Sequence, residues 1–217
     1  MNNSVSENIK PDKKTAASIV LASGSPRRRE LLAGLGLSFE IVKSDADETL
    51  PAGISPEDAV ALLAERKARA VAGLCRDDAL VIAADTVVAL GGDILGKPAD
   101  EEDSARMLSS LSGREHRVCT GIALSLGGRL VSCTETTAVR FRALADTEIL
   151  EYIKTGEPAD KAGAYGIQGL GSLFVTGITG DYFNVVGLPL CRLSQLCRES
   201  FGFSLYDMRD KRDDPTV

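Results

Sequence analysis

The segment Ser23-Gly24-Ser25-Pro26-Arg27-Arg28-Arg29 brings two hydroxyls, a residue without a side chain and a run of guanidiniums to a predicted strand-to-helix turn. Free backbone N–H groups at a helix start let an anion approach, and guanidiniums fork onto its oxygens, so the segment suits a polyphosphate. Basic residues in a first helical turn also oppose the macrodipole by roughly a few tenths of a kcal/mol, which a bound anion would offset. The ordinary alternative is a capped helix with a solvated basic face.

Asp85 sits inside the apolar run Val-Ile-Ala-Ala-Asp-Thr-Val-Val-Ala-Leu. An ionised acid there needs a cation, a metal or water, so it is either a functional acid, half of a structural ion pair or a strand-end residue. Thr86 points to the opposite face of a regular strand, and the two share one site only near a strand end or bulge. The run Asp45-Ala46-Asp47-Glu48 follows another strand, where carboxylates suit Mg²⁺ completed by water and phosphate, or simply form a solvated acidic loop. Lys67 and Lys97 are isolated lysines, the second held between Gly96 and Pro98. Gln168 lies in the glycine-rich stretch Lys161-Ala-Gly-Ala-Tyr-Gly-Ile-Gln-Gly169 and offers a donor and an acceptor together.

Two apparent motifs fail on inspection. Residues 91–97 match G-x-x-x-x-G-K, but Pro98 stands where a metal-binding hydroxyl is required and Gly91-Gly92 reads as a hairpin turn. Gly169-Leu170-Gly171 has no third glycine for a dinucleotide fingerprint. His116 is the single histidine, and three residues before Cys119 in a predicted strand it faces away from that thiol. It reads as a surface or hydrogen-bonded structural residue.

The elements that must position these groups follow from periodicity and punctuation. Strand 18–23 leads into a helix begun by Ser25-Pro26, with Leu31, Leu32 and Leu35 on one face and Gly36 as its stop. Ser-Phe-Glu-Ile-Val-Lys-Ser is a second strand. A long helix starts at Ser55-Pro56 and turns Val60, Leu63 and Val71 inward. Residues 79–90 form a buried strand, joined through Gly91-Gly92 to a short partner, before a helix at about 100–112. Two long strands flank Gly127-Gly128, then come a helix at 146–155, a hairpin over 172–187 and a last helix with Leu190, Leu193, Leu196 and Cys197 inward. The sum is an α/β chain containing antiparallel hairpins.

The 217 residues carry 25 Lys+Arg against 31 Asp+Glu, a net charge of −6 that disfavours a nucleic-acid backbone as partner. Without tryptophan the chain lacks the best base-stacking residue. With 44% apolar and 26% charged residues the chain can build a full core without staples. Five cysteines without a C-x-x-C pair suggest neither a disulfide framework nor a zinc knuckle, and a cytoplasmic location is the simplest expectation. The polar N-terminus lacks the apolar core of a signal peptide, and no run is long and apolar enough to imply a membrane role. The expected organisation is a flexible arm over 1–17, a single domain over 18–204 and a polar tail over 205–217.

In this order, the segments LASGSPRRRELL, ADE at 46–48, ERKA around Lys67, AADTVV, GKP, SGREHRVCTG, KAGAYGIQG and VVGLP resemble the Maf family of nucleoside triphosphate pyrophosphatases, from about Ile19 to Leu196. The resemblance implies an elongated α/β fold of the Maf/Ham1 (ITPase) type, with a mixed twisted sheet and two lobes around a central cleft. It implies hydrolysis of a nucleoside triphosphate to the monophosphate and pyrophosphate, with a divalent metal cation, Mg²⁺ or Mn²⁺. ADT and KAGAYGIQG are similar to the branch acting on dTTP and UTP, with CTP or modified pyrimidine triphosphates as further candidates. Carried over, Ser23, Arg27, Arg28, Lys67 and Lys97 contact substrate and phosphate, Glu48 and Asp85 hold metal, Asp85 is the proton acceptor, and Arg28, Thr86 and Gln168 bear on base choice. The resemblance also implies a homodimer. A non-turnover nucleotide sensor regulating cell division or septum formation is the alternative from another class.

Overall fold

The computed structural model describes residues 16–209. Most of the expected N-terminal arm falls outside them, but Ala17 already donates its N–H to the Asp78 carbonyl at 2.8 Å. The strands are β1 (Ser18–Leu21), β2 (Glu40–Ile41), β3 (Ala79–Leu90), β4 (Asp93–Leu95), β5 (Glu115–Leu126), β6 (Arg129–Phe141) and β7 (Val175–Thr179). The helices are α1 (Pro26–Ala33), α2 (Pro56–Ala72), α3 (Glu101–Leu111), α4 (Asp146–Lys154), α5 (Tyr182–Val186) and α6 (Leu190–Phe201). The strands form one mixed sheet in the order β2-β1-β3-β5-β6-β7, with β4 also paired to β3. β1 runs parallel to both neighbours, and every other pairing is antiparallel. Gly91-Gly92 and Gly127-Gly128 all take positive φ, as the tight hairpins on either side of them require.

β1 pairs with β3 only over Ser18↔Ala79 to Leu21↔Ile82, and β4 pairs with it only over Val88↔Leu95 to Leu90↔Asp93. Between these stretches β3 keeps β5 on one edge and, among the described residues, has no strand on the other. The opening lies in the middle of the sheet, around Asp85 and Thr86.

One face of the sheet is covered by α2, whose Ala64, Ala68 and Val71 pack on Val81, Ala83 and Ala123. The helix starts as its sequence requires, with Ser55 Oγ accepting the Asp58 N–H at 3.1 Å. α2 lies so close to β5 that a Cβ on Gly121 would collide with the Val60 carbonyl. The other face carries two separate hydrophobic clusters. The first gathers Ile82, Ile122 and Leu124 with Leu32 of α1 and Leu193 and Cys197 of α6. The second gathers Val88, Val118 and Phe141 with Leu108 of α3 and Ile153 of α4. A buried polar layer separates them: Thr86 and Thr120 share a 2.9 Å hydrogen bond, Thr120 donates to the Asn184 carbonyl, and Asn184 Nδ2 donates to the Val118 carbonyl and Thr137 Oγ1. These clusters are the two lobes.

Three expectations are corrected. The strand over Ser-Phe-Glu-Ile-Val-Lys-Ser shrinks to Glu40–Ile41, because its partner β1 ends at Leu21 where the chain turns towards α1. The hairpin over 172–187 does not form: only β7 pairs with β6, and after Gly180 at positive φ the Asp181 carboxylate accepts the Phe183 N–H at 2.7 Å and starts α5. The tail does not leave the domain at residue 205, since Leu205 is buried in the first cluster and Arg209 bridges to Leu37. Among the described residues no helix is long and apolar enough to cross a membrane.

His116 is buried, edge-on to Phe141 and Tyr165, with Nε2 2.9 Å from the Tyr165 hydroxyl. It is a structural residue. Burial lowers its pKa to about 4. The unfolded imidazole titrates near 6.5, so between these values the unfolded chain binds the extra proton and stability falls on acidification. His116→Phe is expected to remove roughly 1.4 kcal/mol per pH unit from the slope of stability against pH between about 4 and 6.5, read from urea midpoints of both proteins. Gly121→Ala is expected to lose about 3 kcal/mol in the same assay, because helix backbone must move to admit the methyl group.

Candidate active site

The opening in the sheet leads into a cleft of about 960 Å³ between the lobes, large enough for a nucleotide. Ser23, Arg27, Arg28, Glu48, Lys67, Lys97, Asp85, Thr86 and Gln168 all line it. The unpaired stretch of β3 explains how Asp85 and Thr86 can both do so. Asp85 lies on the α2 face and Thr86 on the lobe face, yet with no strand beside them both sides reach the same gap.

Lys67 projects from α2 between two acids. Its Nζ lies 2.5 Å from Asp85 Oδ1 and 2.7 Å from Glu48 Oε1. The Lys67 and Asp85 side chains are each 14% exposed, whereas Glu48 is 64% exposed. The hydrogen bond from Lys67 holds the Glu48 carboxyl below its ordinary range, burial opposes this, and the charges of Lys67, Lys97 and Arg28 assist. Asp47, in the same acidic run, instead accepts the Thr49 N–H at 2.9 Å and does not line the cleft.

Arg28 is a strut rather than a free cation. Nε donates to the Gly187 carbonyl at 2.8 Å, Nη1 to Ser23 Oγ at 3.2 Å and Nη2 to Thr86 Oγ1 at 3.0 Å. Burial holds its pKa below the ordinary guanidinium value, Asp85 and Glu48 opposing and Arg27 adding to the effect. Ser25 occupies the N-cap without a side-chain cap bond, and its N–H instead meets Ser23 Oγ at 3.2 Å. Arg27 reaches across the mouth to Asp160 at 3.4 Å. Arg29 lies outside the cleft. Lys97 is brought in by the β4 turn, which the glycine-rich segment grips through Gly163 N–H to the Gly96 carbonyl at 3.0 Å. Gln168 is exposed in the cleft and makes no hydrogen bond among the described residues.

Lys43, Glu157 and Asp160, which the sequence did not mark, also line the cleft, as does Lys161 at the head of the glycine-rich stretch. Lys43 packs beside Gly24, and its signal was its place at the end of a strand that precedes the acidic run. The acids of 157 and 160 carried no signal, since Glu-Pro-Ala-Asp reads as an ordinary polar turn.

For a divalent cation the donors are of the right kind. Two hard oxygens already converge on one cationic position, Lys67 Nζ, and Mg²⁺ or Mn²⁺ is satisfied by one or two carboxylates when phosphate and water complete its shell. Among the described residues no cluster of three or more His, Cys, Asp or Glu side chains is assembled, so the set fits a cation shared with substrate rather than a closed protein site. Replacing Lys67 leaves two acids facing each other, and Lys67→Met is expected to raise the Glu48 pKa, followed by carboxyl NMR titration of both proteins.

The family model described as Maf-like protein matches residues 18–200. A protein of Pelotomaculum thermopropionicum named dTTP/UTP pyrophosphatase is 51% identical over 189 residues, covering 86% of this chain and 98% of its own. Proteins of the same name from Moorella thermoacetica and Hahella chejuensis are 55% and 49% identical, covering 82% and 87% of this chain and 92% and 94% of their own. Among solved structures, the Staphylococcus aureus Ham1 protein aligns with 59% of this chain and 72% of its own at 18% identity and a TM-score of 0.43. The match to the family model across both lobes, with whole-length relatives sharing about half their residues, means that the chain belongs to the Maf family.

Proposed function

We propose that this protein hydrolyses dTTP and UTP to the monophosphate and pyrophosphate. The observation that carries the reading is the convergence of two acids, Asp85 and Glu48, with Arg27, Lys67 and Lys97 on one nucleotide-sized cleft. The names of the close relatives point to the same reaction. A sensor that only binds nucleotide would need the cations but not the half-buried acid, so turnover is the favoured reading.

Attack on the α-phosphate needs an in-line water, charge neutralisation on the nonbridging oxygens and a stabilised pyrophosphate leaving group. Arg27 and Lys97, which line the cleft, neutralise phosphate oxygens, and Lys67 leaves its acids for the same purpose. Ser23, already hydrogen-bonded to Arg28, presents its hydroxyl beside them. Asp85 holds the attacking water and takes up its proton. A divalent cation held by Glu48 and Asp85 would supply further neutralisation of the phosphates and polarise the water. Arg28 fixes the Thr86 hydroxyl, and Gln168 offers its amide to the donor and acceptor edge of uracil or thymine. The same amide can turn to suit cytosine, so discrimination against CTP is expected to be modest.

Pyrophosphate release from dTTP and UTP in the presence of Mg²⁺ or Mn²⁺ tests the proposal. Asp85→Asn is expected to lower kcat on the order of 100-fold or more while nucleotide binding persists. Undiminished turnover by that variant, or none by the unaltered protein, counts against it.

A further inference from the structure

Glu157 has no part in the mechanism, yet the glycine-rich loop is built around its carboxylate. Oε1 accepts from the Tyr152 hydroxyl at 2.9 Å and the Gly171 N–H at 3.2 Å, and Oε2 accepts from the Leu170 N–H at 2.9 Å. Tyr152 passes the connection on, since its oxygen accepts the Gly166 N–H at 3.2 Å. Residues 166 and 170 are thus tied, directly or through one hydroxyl, to a single carboxylate. Between them stands Gln168. Gly169 lies so close that a Cβ there would strike the Glu157 carboxyl group, and one on Gly166 would meet its Oε1 at 3.1 Å. No strand ladder holds this stretch, which enters through left-handed Gly163 and Ala164 and leaves through a 3₁₀ turn.

Among the described residues Gln168 itself has no hydrogen bond to fix it, so its position in the cleft depends on the backbone on either side. Resting on the proposed pyrimidine triphosphate reading, we infer that Glu157 is a positioning residue for base recognition: its carboxylate sets where Gln168 meets the pyrimidine, without contributing to phosphate binding or chemistry. A carboxylate suits this place because all the groups pointing at it donate. A glutamine offers one acceptor oxygen and one amide donor, so it must turn NH₂ towards either Leu170 N–H or the Tyr152 and Gly171 pair.

The test uses the full chain and Glu157→Gln, with KM and kcat measured for UTP, dTTP and CTP and with pyrophosphate as a competitive inhibitor. Losing one hydrogen bond to a charged acceptor corresponds to roughly a tenfold effect, so KM for UTP and dTTP is expected to rise about tenfold with kcat within about threefold. The preference for UTP over CTP should shrink, and the pyrophosphate inhibition constant should stay within about twofold. Tyr152→Phe, which removes the relay to Gly166, should move KM the same way by less, and it carries the test if Glu157→Gln does not fold. An unchanged KM, or a loss of kcat matched by weaker pyrophosphate inhibition, overturns the inference. Absence of UTP and dTTP turnover in the unaltered protein would instead defeat the proposed reaction, and calorimetric binding of UTP to both proteins would then read the role of Glu157 on its own.

Discussion

A strand with no neighbour along part of one edge is the constraint on which this site depends. β3 runs from Ala79 to Leu90, but β1 accompanies only its beginning and β4 only its end. In a fully paired sheet, consecutive residues serve opposite sides and do not meet in one pocket. Here the missing neighbour lets an acid supported from the helical side and a hydroxyl supported from the lobe side open onto the same space. The sheet continues beyond the gap because β5 pairs with β3 from Val81 to Ala89, so the opening weakens one edge without dividing the fold.

The two faces then supply different chemistry. α2 delivers Lys67 to Asp85, and its close seat on Gly121 fixes how near that lysine stands to the strand. On the other face, two apolar clusters cannot merge because a threonine and asparagine layer lies between them. That layer is hydrogen-bonded almost throughout, with Asn184 Oδ1 as a buried atom lacking a partner. Arg28 closes the layer at the cleft by spanning Ser23, Thr86 and Gly187. A lysine could not make those connections, since a single ammonium lacks the planar fork.

Much of this was legible in the sequence. The paired glycines announced both hairpins, and Ser55-Pro56 with the acids behind it announced α2, because these signals act within a few residues. An acid inside an apolar strand and an arginine run at a helix start marked the cleft, because each is unfavourable without a partner. The gap in β3 was not legible, since it depends on where other strands stop. The same holds for the lost hairpin after β7, where the run 182–186, apolar but for Asn184, fits a short capped helix as well as a strand and only pairing decides. Arg28 as a strut, Leu205 as core and Glu157 as the centre of a loop all depend on partners far along the chain, and composition does not reveal them.

The mouth of the cleft is crossed by an ion pair, Arg27 of α1 with Asp160 beyond α4, and the aspartate side chain is 61% exposed. Such a clasp is governed by dissolved salt, whose screening length is about 10 Å at 0.1 M. An exposed pair of this kind is worth roughly 0–1 kcal/mol, so Arg27 can leave Asp160 for an arriving polyanion at little cost.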